Sequence, residues 1–497
     1  MAASDESQVE PPRGRDAASA GASDQVSGRV PGESVLAAPA ETRRLFGTDG
    51  VRGTANVEPV TAETTLRLGR AMAYVLRQEV DSSHRHRVVV GKDTRLSGYL
   101  LESAMLAGLT SMGVDVLLVG PLPTPGIAYI TRSLRADAGV ALTASHNSYE
   151  DNGIKFFNRD GYKLPGAIER RIEELVITGE IDHIRPTRDK VGKAFRIDDA
   201  LGRYVEYAKR AFPRGMTLEG MRVVVDAAHG AAYKSSPCVL RELGAEVVVC
   251  NNEPDGTNIN RNCGSTYPAA LQRAVIDHGA DLGIAHDGDG DRVIISDETA
   301  QILNGDRIMA LVALDFMRRG RLKDRTLVAT VMSNHGLDRV LARAGGRVVR
   351  AQVGDRFVLE KMLEIDANVG GEPSGHIIFR DYSTSGDGII TALQVMRIMR
   401  QSGRRLSLLA RCMEPLPQFR LDVPVARKLP FEQVPALAAL LDEVGKEIAA
   451  REGYLLVRYS GTEPKARILI EGGDELPLDD YGQRLAAAIH DHLGGAP

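Results

Sequence analysis

The sequence predicts an α/β protein: three similar α/β domains in tandem with mixed sheets, followed by a smaller α+β domain. Two observations carry this expectation. A unit of apolar strand, polar loop, helix and second strand recurs at spacings of about a hundred residues or more. The pattern then breaks at Pro415-Leu416-Pro417. The length of 497 residues suits three to four domains, at roughly 100–200 residues each.

Composition narrows the class. Hydrophobic residues make up 43% and charged residues 26%, a globular balance. A net charge of −4, no tryptophan and 5% aromatics offer neither a basic footprint nor stacking platforms, so no nucleic-acid partner is expected. Cys238, Cys250, Cys263 and Cys412 form no C-x-x-C pair, which argues against zinc and for a reducing, cytoplasmic location. No apolar run approaches the roughly 20 residues of a membrane span, so no membrane partner is expected either.

Taken in order, residues 1–41 are rich in Ala, Ser, Gly, Pro, Asp and Arg without an aromatic residue. Such a stretch cannot bury enough apolar surface to offset its ordering entropy and reads as a disordered tail. The first domain, 42–195, opens on Leu45-Phe46-Gly47-Thr48-Asp49-Gly50-Val51-Arg52-Gly53, a glycine-rich loop presenting Arg52. Helices are expected over Thr61–Arg77 and Ser97–Met112, and strands at Val88–Val90 and Val114–Val119. The next strand, Ala138–Leu142, ends in Thr143-Ala144-Ser145-His146-Asn147. An Asn152-Gly153 turn leads into Ile154–Phe157. Ser145 therefore stands on an exposed loop beside His146 and near Lys155, placed to act as nucleophile or phosphate carrier. Taken alone, such a loop is more often an ordinary turn.

The second domain, 196–298, repeats the unit with strands Arg222–Asp226 and Ala245–Cys250. The third, 299–413, does so with Thr326–Val331 and Arg347–Arg350. Ligands gather at the carboxyl ends of such strands. The fourth domain, 414–497, has a strand at Phe419–Val425, a helix at Phe431–Ala450, strands at Tyr454–Tyr459 and Ala466–Glu471 flanking a loop, and a last helix after Asp479.

Three further loops carry chemistry. Asp287-Gly288-Asp289-Gly290-Asp291-Arg292 follows a buried strand. Three carboxylates at alternate positions, with glycines that let the backbone wrap closely, suit a hard cation such as Mg²⁺ or Ca²⁺. An EF-hand would put glycine where Arg292 stands and helices where strands are expected. Gly370-Gly371-Glu372-Pro373-Ser374-Gly375-His376 offers a carboxylate, a hydroxyl and an imidazole to a polyol. Arg458-Tyr459-Ser460-Gly461-Thr462-Glu463-Pro464, with Arg467, makes a phosphate cradle.

Together the four loops, one per domain and in this order, resemble the α-D-phosphohexomutases over residues 42–497. Further stretches resemble the bacterial branch that works on glucosamine phosphate. They are Asn258-Ile259-Asn260 with Asn262-Cys263-Gly264-Ser265-Thr266, Val353-Gly354-Asp355-Arg356 and Ser385-Gly386-Asp387-Gly388. Pro373 stands where that branch usually has Gln.

The resemblance implies an isomerase of carbohydrate and amino-sugar metabolism with its active site in a central cleft. Ser145 would be a phosphoserine, and one Mg²⁺ per subunit would sit on Ser145, Asp287, Asp289 and Asp291. Glucosamine 6-phosphate and glucosamine 1-phosphate would interconvert through a 1,6-bisphosphate, feeding synthesis of UDP-N-acetylglucosamine. Arg52 and Arg292 would steady the transferring group, and His146 and Lys155 are candidates for proton transfer. Glu372, Ser374 and His376 would hold sugar hydroxyls. Arg458, Ser460, Gly461, Thr462 and Arg467 would grip the phosphate that is not reacting. A phosphomannomutase/phosphoglucomutase activity is the alternative, and a homodimer is compatible with the reading.

Overall fold

The computed structural model describes residues 45–47, 49–79, 85–460 and 464–494. The tail 1–41, Gly461 and Thr462 lie outside them. Among the described residues the strands form four sheets, of seven, five, four and three strands.

The first sheet has a parallel centre. Arg87–Lys92 is flanked by Ala138–Leu142 and Asp115–Pro121, and both pairings are parallel. Ala138–Leu142 is buried along its whole length, as expected of a strand covered by helices on both faces. An antiparallel edge follows, made by Asp151–Asn158 and Gly50–Thr54. That edge brings Arg52 opposite Gly153 and puts Lys155 opposite Ala141, so one sheet edge aligns Arg52, Lys155 and the serine loop.

The second sheet centres on Leu282–His286, parallel to Arg222–Asp226 and antiparallel to Val293–Asp297. The metal-type loop is therefore the connection of a tight antiparallel pair. Ile302–Leu303 adds to this sheet beside Val293–Asp297, so the second sheet runs past residue 298, where the sequence pattern predicts its end. In the third sheet, Thr326–Thr330 lies parallel to Arg347–Ala351 and Val369–Gly371. Val369–Gly371 turns back antiparallel into Ile377–Phe379, which places the Glu372–His376 loop at the sheet end. In the fourth sheet Lys465–Glu471 lies between Gln418–Pro424 and Tyr454–Tyr459 and is antiparallel to both.

The helix Gly388–Ser402 ties the second and third sheets together. Asp387 caps it by accepting from the Ile389 and Ile390 N–H groups, and Gly403 ends it in the left-handed conformation, φ 65°. It is buried from Gly388 to Met399, and each fully buried Ile, Leu, Val or Met on it stabilises the fold by about 1.5–3 kcal/mol. Its Gln394 donates to the Ala211 carbonyl, and Tyr204 donates to Asp387. One hydrophobic core accordingly runs from Val89 through Val223 and Leu327 to Met413. The fourth sheet has its own, from Val423 to Leu493.

Candidate active site

The serine loop is locked through its backbone. Ser145 adopts φ 51°, a left-handed conformation unusual outside glycine. Its N–H donates to Thr143 Oγ1 at 2.9 Å. Its carbonyl accepts from Arg95 Nη2 and Asn260 Nδ2, each at 2.9 Å, and both side chains reach the Asn147 carbonyl as well. Arg95 also bonds the Ser148 carbonyl and is fixed by Asp93 at 2.9 Å. The expected exposed loop is therefore corrected. Ser145 is 1% exposed, because Arg95, Asn260 and the Gly288 backbone close over it. A Cβ on Gly288 would lie 2.5 Å from the Ser145 carbonyl oxygen, so only glycine permits that approach.

The Ser145 hydroxyl points at the aspartate loop and donates to Asp287 Oδ2 at 2.6 Å. His146 Nδ1 is 3.5 Å from the same hydroxyl. Asp287, Asp289 and Asp291 are buried, with one carboxylate oxygen from each lying within 4.8 Å of the others. Asp289 Oδ1 and Asp291 Oδ1 are buried without a hydrogen-bond partner. Buried carboxylate oxygens that lack partners are costly, and an oxygen-only set of this kind fits a hard divalent cation. Thr124 donates to Asp289 Oδ2 at 2.7 Å, and Lys155 Nζ sits 3.1 Å from the same oxygen.

Electrostatics follow from this packing. Burial, and then the neighbouring Asp291 and Asp289, hold the Asp287 carboxyl well above its usual range. Burial disfavours charge on Lys155, but Asp289, Asp49 and Asp291 outweigh it and hold the ammonium above its ordinary value. His146 goes the other way: burial and the nearby Arg292 and Arg52 push it down to about 4. For His376, Asp291 and Asp355 overcome burial and raise it to about 9.

Domain three contributes from the opposite side. His376 Nδ1 is 3.4 Å from Asp291 Oδ2. Glu372 accepts from the Gly354 N–H at 3.0 Å, and Ser374 Oγ is buried with no hydrogen-bond partner. Arg292 Nε lies 3.8 Å from Asp291 and 4.0 Å from Asp287. Arg52 pairs with Asp49 at 3.0 Å. The sequence-derived residues of the first three domains thus converge on one place. Arg458, Ser460 and Arg467 gather elsewhere, on the fourth sheet, where Arg458 and Arg467 face each other across paired strands. Arg95, Asp49, Thr124 and Asn260 join the site without being predicted by the sequence pattern. For Asp49 and Asn260 a signal is present, since each sits within a stretch that carries the resemblance.

Comparison with known proteins bears on this geometry. Four models described as phosphoglucomutase/phosphomannomutase match in series. The alpha/beta/alpha domains I, II and III cover residues 43–181, 202–301 and 304–416, and the C-terminal domain covers 420–488. The chain belongs to the phosphoglucomutase/phosphomannomutase family.

Within the family it is 55% identical over 453 residues to the phosphoglucosamine mutase of Citrifermentans bemidjiense, covering 91% of this chain and 99% of the relative. The phosphoglucosamine mutase of Myxococcus xanthus is 54% identical over 448 residues, 90% of this chain and 97% of the relative. Among solved structures, a family protein from Burkholderia thailandensis superposes with a TM-score of 0.74 at 24% identity, covering 89% and 97% of the two chains. The N-acetylphosphoglucosamine mutase of Aspergillus fumigatus, in complex with GlcNAc-6P and magnesium, gives a TM-score of 0.60 at 19% identity, covering 90% and 95%. These structures share the family's four-domain fold. No helix among the described residues is long and apolar enough to cross a membrane.

Proposed function

We propose that this chain interconverts glucosamine 6-phosphate and glucosamine 1-phosphate, with Ser145 as the phosphoryl carrier. The observation that carries the reading is the 2.6 Å contact of the Ser145 hydroxyl with a buried aspartate triad. Relatives at about 55% identity over nine-tenths of the chain bear the name phosphoglucosamine mutase, which supports this choice of sugar.

In the working form Ser145 carries a phosphoryl group. The O1 hydroxyl of glucosamine 6-phosphate attacks the phosphorus, the P–Oγ bond breaks, and a 1,6-bisphosphate results. After the sugar turns round, Ser145 Oγ takes back the 6-phosphoryl group and glucosamine 1-phosphate leaves. Mg²⁺ bound on Asp287, Asp289, Asp291 and the serine's group would neutralise charge on the transferring phosphoryl. Arg52 and Arg292 supply fixed positive charge at the same place. His146 and Lys155 stand where a sugar hydroxyl must lose or gain its proton. His146, kept neutral by burial and its arginine neighbours, can accept one. Glu372, Ser374 and His376 hold sugar hydroxyls, and the buried Ser374 hydroxyl has a bond to give. Arg458, Ser460 and Arg467 grip the distant phosphate.

Two measurements test the reading. Intact-mass analysis is expected to show about 80 Da added at Ser145 in active protein. A kcat/KM comparison of glucosamine, glucose and mannose phosphates is expected to favour glucosamine, because a site that pairs one polar substituent rejects analogues that leave its partners unpaired. A clear preference for glucose or mannose phosphate would move the chain to the phosphoglucomutase/phosphomannomutase activity, with the phosphoryl chemistry unchanged.

A further inference from the structure

The stretch Val353-Gly354-Asp355-Arg356 stands out in the sequence, yet the phosphoryl-transfer scheme uses none of it. Asp355 begins the helix Asp355–Glu364 of the third domain. Its carboxylate holds Lys163 Nζ of the first domain at 2.6 Å, and the same ammonium donates to Asp49 Oδ1. Asp49 Oδ2 lies 3.0 Å from Lys155 Nζ. On the other side, Asp355 Oδ2 is 3.8 Å from His376 Nε2, and His376 Nδ1 is 3.4 Å from Asp291. Lys155 closes on Asp289 at 3.1 Å. Three carboxylates and three basic groups thus alternate in a circuit, Asp291, His376, Asp355, Lys163, Asp49, Lys155, which returns to the aspartate loop at Asp289. Three domains contribute.

We infer that Lys163 and Asp355 are positioning residues for the mutase reaction: they fix Lys155 through Asp49 and set the charge beside His376, so that the proton-handling Lys155 and the sugar-holding His376 are aligned only when domain three is seated on domain one. The inference rests on the proposed function and names parts of the same site. Several observations separate it from an ordinary surface ion pair. The Lys163 and Asp355 side chains are only 17% and 18% exposed, whereas exposed pairs contribute little. Lys163 is held at its backbone too, paired with Phe157 beside the strand that carries Lys155. Gly354, one residue before Asp355, donates its N–H to Glu372, so the same turn orients the sugar loop. The seam also has supports that do not enter the circuit. Arg356 pairs with Glu169 at 2.8 Å, and Thr384 donates to the Gly161 carbonyl at 2.9 Å. The domains therefore stay docked when Lys163 is changed.

The test uses the full phosphorylated chain with Lys163→Met, Lys163→Arg, Asp355→Asn and the double variant Lys163→Met/Asp355→Asn. Both single neutral variants are expected to lose roughly 10- to 100-fold in kcat, the scale of misplacing a reacting group by about 1 Å, with KM nearly unchanged. The double variant is expected to lose much less than the product of the two single losses, since both break one circuit. Lys163→Arg is expected to recover part of the rate. A kcat within about 2-fold of wild type in both single variants, or losses that appear equally in KM, would overturn the proposal. Acylation of Lys155 by a water-soluble amine reagent, followed by peptide mass spectrometry, supplies a readout apart from turnover. Lys155 is 3% exposed, and its labelling is expected to rise in Lys163→Met and fall back in Lys163→Arg. Unchanged labelling overturns the positioning role whichever phosphosugar is turned over. Wild-type protein inactive on every phosphosugar would instead defeat the proposed function, and the labelling would still judge the circuit.

Discussion

Removing the Ser145 hydroxyl takes one hydrogen bond from Asp287 and leaves the loop's carbonyls in the grip of Arg95 and Asn260. Ser145→Ala is therefore expected to drop mutase turnover to background while the melting temperature stays near that of wild type. Substantial turnover by the folded alanine protein would dismiss Ser145 as the carrier. At Asp289 the expected effect is graded. Asp289→Asn keeps an oxygen for the Thr124 and Lys155 contacts but lowers the charge facing a cation by one. Mg²⁺ affinity measured by titration calorimetry is expected to fall, and kcat to fall more than KM rises. EDTA is expected to silence the wild type and Mg²⁺ to restore it, because oxygen-only sites exchange Mg²⁺ readily. Full activity in thoroughly chelated buffer would contradict the metal role.

At the scale of elements, strands and most helices are legible from the hydrophobic period, although Asn152-Gly153, expected to turn, lies inside the strand Asp151–Asn158 because both residues pair with Gly50–Thr54. Arg222–Asp226 and Tyr454–Tyr459 have the bounds that the sequence predicts. The expected helix Phe431–Ala450 divides into a short turn and Pro435–Ala449, since proline starts a helix more readily than it continues one. Arg95 is not legible as a site residue, and the stretch around Asn260 does not reveal that residue's role, because both act on backbone carbonyls far away in sequence, which no local pattern encodes. The circuit through Lys163 is illegible for the same reason.

One buried group makes an element's stability sensitive to pH. Asp306, in the first turn of the helix Gly305–Arg318, accepts from the Asn334 N–H at 3.0 Å. Burial outweighs that bond and raises its carboxyl to about 6. The folded chain thus holds this proton more tightly than the unfolded one. The resulting stability is fully present below the ordinary aspartate value and is lost as pH rises through about 6. Asp306→Asn keeps the acceptor without the charge. Its advantage over wild type in thermal unfolding is expected to grow between pH 4 and 7, to about 3 kcal/mol at most, since each tenfold change in proton affinity is worth roughly 1.4 kcal/mol. A pH-independent difference would mean the carboxyl is not held protonated.

On the scale of the molecule, the proposed phosphate grip and the proposed phosphoryl carrier belong to different domains. Arg458 stands on the fourth sheet, and Ser145 follows a strand of the first. The fourth sheet meets the third domain at residues 334–335, where Asn334 bonds the Leu416 backbone in both directions and His335 meets Glu471. Arg458→Ala is expected to lower kcat/KM by about 1.5–3 kcal/mol, the usual worth of a bond to a charged group, roughly 10- to 150-fold. Unchanged kinetics would displace the phosphate site from this sheet.

The separate core of the fourth sheet, Val423 to Leu493, has a thermal consequence. A body with its own apolar interior, joined to the rest by a few polar contacts, can melt as its own cooperative unit. Scanning calorimetry is expected to resolve two endotherms, the smaller carrying about 50 kcal/mol at roughly 0.7 kcal/mol per residue. Ile468→Ala, which opens a cavity inside that small interior, is expected to move only the smaller peak. Protein warmed between the two transitions would then keep the Ser145 and aspartate loops folded while the strands carrying Arg458 and Arg467 come apart.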